Sequence, residues 1–215
     1  KTTALINSGL KFPLAAAGGS ASLAGVGGTR YCDWWFAEDA VMIDTAGRYT
    51  TQDSDAKSDE KSWLHFLSQL KSNRPKQPIN GVILAISLED IMLLGPEEIA
   101  AHATAIRKRL LELHDHLKID FPVYALFTKS DLISGFNEFF SAFPEERRRQ
   151  VWGATFQTED RKKNCIDQIP AEFDALVERL TEETADRLQS EPDAMARIAI
   201  FGFPAQVANL RDPIA

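Results

Sequence analysis

Two unbroken apolar runs punctuate the middle of the chain, Val82–Ile86 within "GVILAIS" and Val123–Phe127 within "FPVYALFT". Neither alternates with polar residues, so each reads as a strand buried on both faces, as in a parallel sheet covered by helices. Between them Ile99, Ala103, Ile106, Leu110, Leu113 and Leu117 recur at steps of four and three. That spacing gathers one apolar helical stripe, with Arg107, Lys108, Arg109 and Glu112 expected to turn outward. Strand, helix, strand in this order predicts a βαβ crossover.

Upstream, Tyr31–Phe36 and Ala40–Asp44 read as strands joined by Ala37-Glu38-Asp39, a link so short that it forces an antiparallel hairpin. A mostly parallel sheet with one antiparallel strand is the expectation. Trp63, Leu64, Phe66, Leu67 and Leu70 predict a helix after the hairpin, and the two prolines of Asn73–Pro78 a surface loop. Beyond Asp131 the pattern changes. Phe136, Phe139, Phe140 and Phe143 predict a short aromatic-faced helix, with Glu145–Arg149 as its solvated neighbour. Phe173, Leu176, Val177, Leu180 and Leu188 predict a long helix, and "RIAIFGF", Arg197–Phe203, a last strand. The expected organisation is an α/β core over 1–135, a helical insertion over 136–195, and a returning core strand in 196–215.

The chain of 215 residues is 44% hydrophobic and 26% charged, ample for a core. Its net charge of −7 argues against a nucleic-acid binder, because phosphate backbones call for a basic face. Cys32 and Cys165 are too few for a disulfide framework and fit a reducing compartment. No apolar run approaches the roughly 18 residues of a membrane span. The start at Lys1, within what reads as a truncated motif, suggests a piece of something longer.

The polar residues that close the apolar runs carry the candidate chemistry. Lys1-Thr2, followed by Thr3, matches the last pair of a G-x-x-x-x-G-K-[ST] phosphate loop, whose glycines and preceding strand would lie upstream. In such a loop the lysine takes the β/γ-phosphates and the hydroxyl takes Mg²⁺ at a helix N-terminus. Asp44-Thr45-Ala46-Gly47 matches D-x-x-G: the carboxylate joins the Mg²⁺ shell and the glycine N–H faces the γ-phosphate. Thr128-Lys129-Ser130-Asp131 matches [NT]-K-x-D, in which the aspartate accepts from two adjacent guanine N–H groups and the lysine stem covers the ring. Thr29, flanked by glycines, is placed as a first-switch threonine and third Mg²⁺ ligand beside Thr2 and Asp44. Each piece also has a plain structural reading: a helix cap, a strand-end turn or a glycine turn. Their order along one sheet is what strengthens the nucleotide reading.

Arg48 follows D-x-x-G where a hydrolysing switch keeps a glutamine. Arginine has no acceptor to hold the attacking water. It would stabilise charge on a transferring phosphoryl group, point to solvent, or pair with an acid such as Asp53 or Asp55, and slow or absent hydrolysis is expected.

Together "KTTALINSGLKFPL", "GVGGTRYCDWWF", "VMIDTAGRYTTQDS", "WLHFLSQLK", "NGVILAISLEDIM", "FPVYALFTKSDLISGF" and "QVWGATF" resemble the cytoplasmic domain of the IcmF/TssM family of bacterial type VI secretion systems. The resemblance runs from Lys1 to at least Phe156. It implies a Ras-like P-loop fold with a helical extension, on the cytoplasmic side of the inner membrane. It also implies partnership with TssL, TssJ and baseplate components, and Walker-type sites for GTP or ATP with Mg²⁺. By position, Lys1, Thr2, Asp44 and Gly47 would serve the phosphates and metal, and Thr128, Lys129 and Asp131 the base. The alternative is a catalytically silent scaffold that docks secretion proteins.

Overall fold

The computed structural model describes residues 4–5, 8–12, 32–45, 56–156 and 165–214, with the backbone alone at 56–59 and 165. The chain divides into two compact units, 1–85 with 97–126, and 86–96 with 127–215.

In the first unit, β1 (Cys32–Phe36) and β2 (Val41–Thr45) form the expected antiparallel hairpin, with Trp35 opposite Met42 and Asp33 opposite Asp44. Successive side chains alternate faces. Trp35 is buried and meets the Phe12 ring edge-on at 5.6 Å, while Trp34 and Phe36 stack on the exposed face. Helix α1 (Ala56–Asn73) buries Trp63, Leu67 and Leu70, one face at steps of four and three. These residues join Leu113 and Leu117 of a later helix in one core, against which Ile43, Val82 and Phe121 pack.

β3 (Val82–Ser87) and β4 (Val123–Thr128) pair in parallel. Between them run α2 (Leu88–Leu93) and α3 (Pro96–Leu117), the latter being the stripe helix of the crossover. Lys118 ends α3 in the left-handed region at φ 58°, and the Lys71 ammonium donates to the His116 carbonyl at 2.9 Å. Arg109 and Glu112 do not turn outward. They are largely covered and joined at 2.7 Å, leaving Arg107 and Lys108 on the solvated face.

The second unit is helical: α4 (Phe136–Ser141), α5 (Glu145–Arg148), α6 (Ile169–Ser190), α7 (Ala194–Ala208) and α8 (Arg211–Ile214). Its core joins Phe139, Phe143, Leu180, Ile200, Phe203 and Val207. Phe136, Phe140 and Trp152 extend it as a ring cluster, with Trp152 lying 5.4 Å from Phe140 and 6.4 Å from Phe203. Gly135 introduces α4 at φ 88°, and a Cβ there would stand 2.3 Å from the Ala199 carbonyl oxygen of α7. The Phe143 ring carries the Arg147 and Arg187 guanidiniums at 4.2 and 4.4 Å from its centre.

Two expectations are overturned. The Ras-like P-loop domain with a mostly parallel sheet does not form among the described residues. They hold two separate two-stranded sheets, one antiparallel and one parallel, in a mostly helical chain. The apolar runs that read as doubly buried strands are only partly covered: Ile83, Val123, Tyr124 and Leu126 are exposed. Burial on both faces needs helical layers and flanking strands, and an apolar run alone does not establish them.

The last strand is also a helix. "RIAIFGF" lies inside α7, where Asp193 caps the first turn by accepting from the Ala196 N–H at 2.7 Å. Ile200, Phe203 and Val207 then fall on one buried helical face.

Candidate functional site

The candidate base loop follows β4 directly. Thr128 is half-buried, and its hydroxyl donates to the Ile86 carbonyl at 3.2 Å, tying the end of β4 to β3. Lys129 then turns left-handed, at φ 62° and ψ 33°, a conformation that costs a side-chain-bearing residue and reverses the chain abruptly. Ser130–Leu132 continue as a single 3₁₀ turn closed by Leu132 N–H to Lys129 C=O at 3.1 Å and Ile133 N–H to Ser130 C=O at 3.0 Å. The turn is anchored by Ile133, which is buried in the helical core, and it leaves Asp131 exposed.

Thr128, Lys129 and Asp131 are therefore brought together in one short loop. The Lys129 ammonium donates to the Glu89 carboxylate on α2, with both side chains about half exposed. That hydrogen bond is the main cause holding the Lys129 pKa above its ordinary value. Burial opposes it as the next largest influence, and the charges of Glu89, Asp90 and Asp131 add to the rise. Glu89 is held in turn by the first turn of α2, where the Ser87 hydroxyl accepts from the Asp90 N–H at 3.3 Å.

Asp44 belongs to the other unit. It is buried at 7% exposure near the end of β2, across the hairpin from Asp33. A hairpin position that sets two carboxylates opposite each other is unusual, because like charges there repel. Lys1, Thr2, Thr3, Thr29, Gly47 and Arg48 lie outside the described residues.

The fit to a nucleotide can be tested on the base loop alone. The exposed Asp131 carboxylate has the acceptor chemistry to take two adjacent N–H donors, and the Lys129 side chain is about half exposed. The Lys129 ammonium, however, already has an anionic partner. No group of three or more His, Cys, Asp or Glu side chains among the described residues is placed to hold a metal ion.

Motif reading missed two residues. Asp33 shows no signal beyond being an acid in a strand. Glu89 lies 40 positions from Lys129 and becomes its partner only through the pairing of β3 with β4.

In class, this is a two-unit, mostly helical α/β segment whose parallel strand pair ends in a polar Thr-Lys-Ser-Asp turn. The chain belongs to the IcmF-related family, because the profile of the IcmF-related N-terminal domain matches residues 56–215. It is 51% identical over 214 residues, 99% of its length, to the protein named type VI secretion system component TssM1 of Pseudomonas aeruginosa strain PAO1. It spans 19% of that relative. No solved structure matches the chain. Among the described residues no helix is long and apolar enough to cross a membrane.

Proposed function

We propose that this segment serves a type VI secretion apparatus as a nucleotide-responsive assembly domain. It works on the cytoplasmic side of the inner membrane, and its nucleotide state governs docking to components such as TssL, TssJ and the baseplate. The observation that carries the nucleotide half is the turn after β4. There Asp131 is exposed and Lys129 is held left-handed beside it, the two groups a guanine edge and ring face require. By motif alone, Lys1-Thr2 would hold phosphate and Asp44 would hold Mg²⁺, which would supply positive charge against the phosphate oxygens. GTP is favoured over ATP, because adenine offers no pair of adjacent N–H donors to a carboxylate.

A second reading, a silent docking scaffold, is favoured by one contact: Glu89 already pairs with the Lys129 ammonium. Titration of fluorescent GDP, GTP and ATP analogues with Mg²⁺ into the full-length protein separates the two. Guanine-nucleotide binding that weakens at least tenfold in Asp131→Ala, the loss of a bidentate charged contact, supports the switch. Failure of all three nucleotides to bind leaves the scaffold.

A further inference from the structure

Helix α7 is apolar on opposite sides. Its inner residues Ile200, Phe203 and Val207 are buried in the helical core. Its outer face presents Met195, Ile198 and Phe201, spaced by threes and 72%, 66% and 72% exposed. Arg197 is the one charged residue among its 15. A helix apolar all round is ordinarily buried all round. Met195 to Ile198 and Ile198 to Phe201 are each one i, i+3 step, so each pair lies on adjacent turns of the helix surface.

We propose that this outer stripe is a helix-docking surface, and that its occupant is an apolar-faced helix from the same polypeptide, outside the present segment. Two facts identify the occupant. First, the related TssM1 carries the equivalent of this segment as 19% of its length, so such a protein has about four fifths of its chain available to supply the helix. Second, the stripe is small. Large side chains bury about 150–250 Å² each, so three that are partly exposed offer on the order of 400 Å². A stable complex between separate proteins takes about 800 Å² from each partner. A tethered helix needs less, because linkage raises its local concentration to roughly millimolar.

The test is hydroxyl-radical footprinting of the full-length protein and of segment 1–215, read by mass spectrometry at Met195 and Phe201. Met92, 43% exposed, serves as the internal reference. We expect Met195 and Phe201 to be oxidised about fivefold more slowly in the full-length protein, because a covering helix packed as tightly as a protein interior would remove most of their 72% exposure. Met92 should be unchanged. Ile198→Asp in the full-length protein should return Met195 to the segment's rate, because a carboxylate in the seam expels the partner helix. Three outcomes overturn the proposal. Equal oxidation in both proteins would mean the stripe is bare. Protection that rises with the segment's own concentration would assign it to a second copy. Protection of the full-length protein only after other secretion components are added would assign it to a separate partner.

Discussion

Gly135→Ala tests the packing of the helical unit at its tightest point. The residue sits at φ 88°, where a Cβ would lie 2.3 Å from the Ala199 oxygen and 2.9 Å from the Phe203 Cβ. Two costs add. Placing a side chain in the left-handed region costs about 1–2 kcal/mol. Overpacking against a neighbour that cannot yield costs about 1–3 kcal/mol. The nearest atom is backbone, within a helix whose Phe203 is fully buried, so little relaxation is open to it. The sum is roughly 2–5 kcal/mol, or about 5–20 °C in melting temperature for a chain of this size. Thermal unfolding followed by circular dichroism gives the shift. Gly202→Ala is the matched control: it lies inside α7 with no atom within 4 Å of an added Cβ. It should stabilise by about 0.5–1 kcal/mol through helix propensity. A loss below about 1 kcal/mol in Gly135→Ala would refute the claim that α4 and α7 meet backbone to side chain at this glycine.

Three further outcomes are expected. Phe143→Leu should cost about 2–3 kcal/mol in urea unfolding, combining lost ring packing with two cation–π contacts of about 0.5–1 kcal/mol each; a cost near zero would mean that Arg147 and Arg187 gain nothing from the ring. Arg211 grips Asp174 through two hydrogen bonds, at 2.6 and 3.1 Å, and holds its carboxyl below the usual aspartate range. A lowered folded pKa stabilises above the unfolded value and is lost as pH falls through the folded one. Urea midpoints of the wild type and Asp174→Asn should therefore differ at neutral pH and converge in strong acid, and a gap that persists in acid would contradict the pairing. If the nucleotide reading holds, Glu89→Gln should raise guanine-nucleotide affinity about two- to fivefold at low salt, and less at high salt, by releasing Lys129. Unchanged affinity would mean that Glu89 does not compete with the base.

How far the sequence revealed the fold depended on whether an element had one apolar face or two. The hairpin shows itself through the short Ala37-Glu38-Asp39 link between two strand-like stretches, and α3 through the 3.6-residue spacing that ends in Leu113 and Leu117. In α7 the outer Met195, Ile198 and Phe201 fill the gaps left by the inner Ile200 and Phe203. The helical period is thereby erased, and the stretch reads as a strand. Asp193, directly before α7 and four residues ahead of Arg197, is the cap signal that decides it. Sheet architecture was out of reach for another reason: an apolar strand carries no record of how many neighbours cover it. The same division holds at the candidate site. Thr128, Lys129 and Asp131 are contiguous and were legible as a motif. Glu89 is set against them by tertiary structure alone.

The tryptophans offer a consequence for spectroscopy. Of the chain's four, Trp34, Trp35 and Trp63 belong to the first unit and Trp152 alone to the second. With the first three replaced by phenylalanine, all remaining indole emission would come from one ring lodged among Phe136, Phe140 and Phe203. Such a protein would report the melting, ligand response and docking of its helical half by colour alone, while the other half stayed dark.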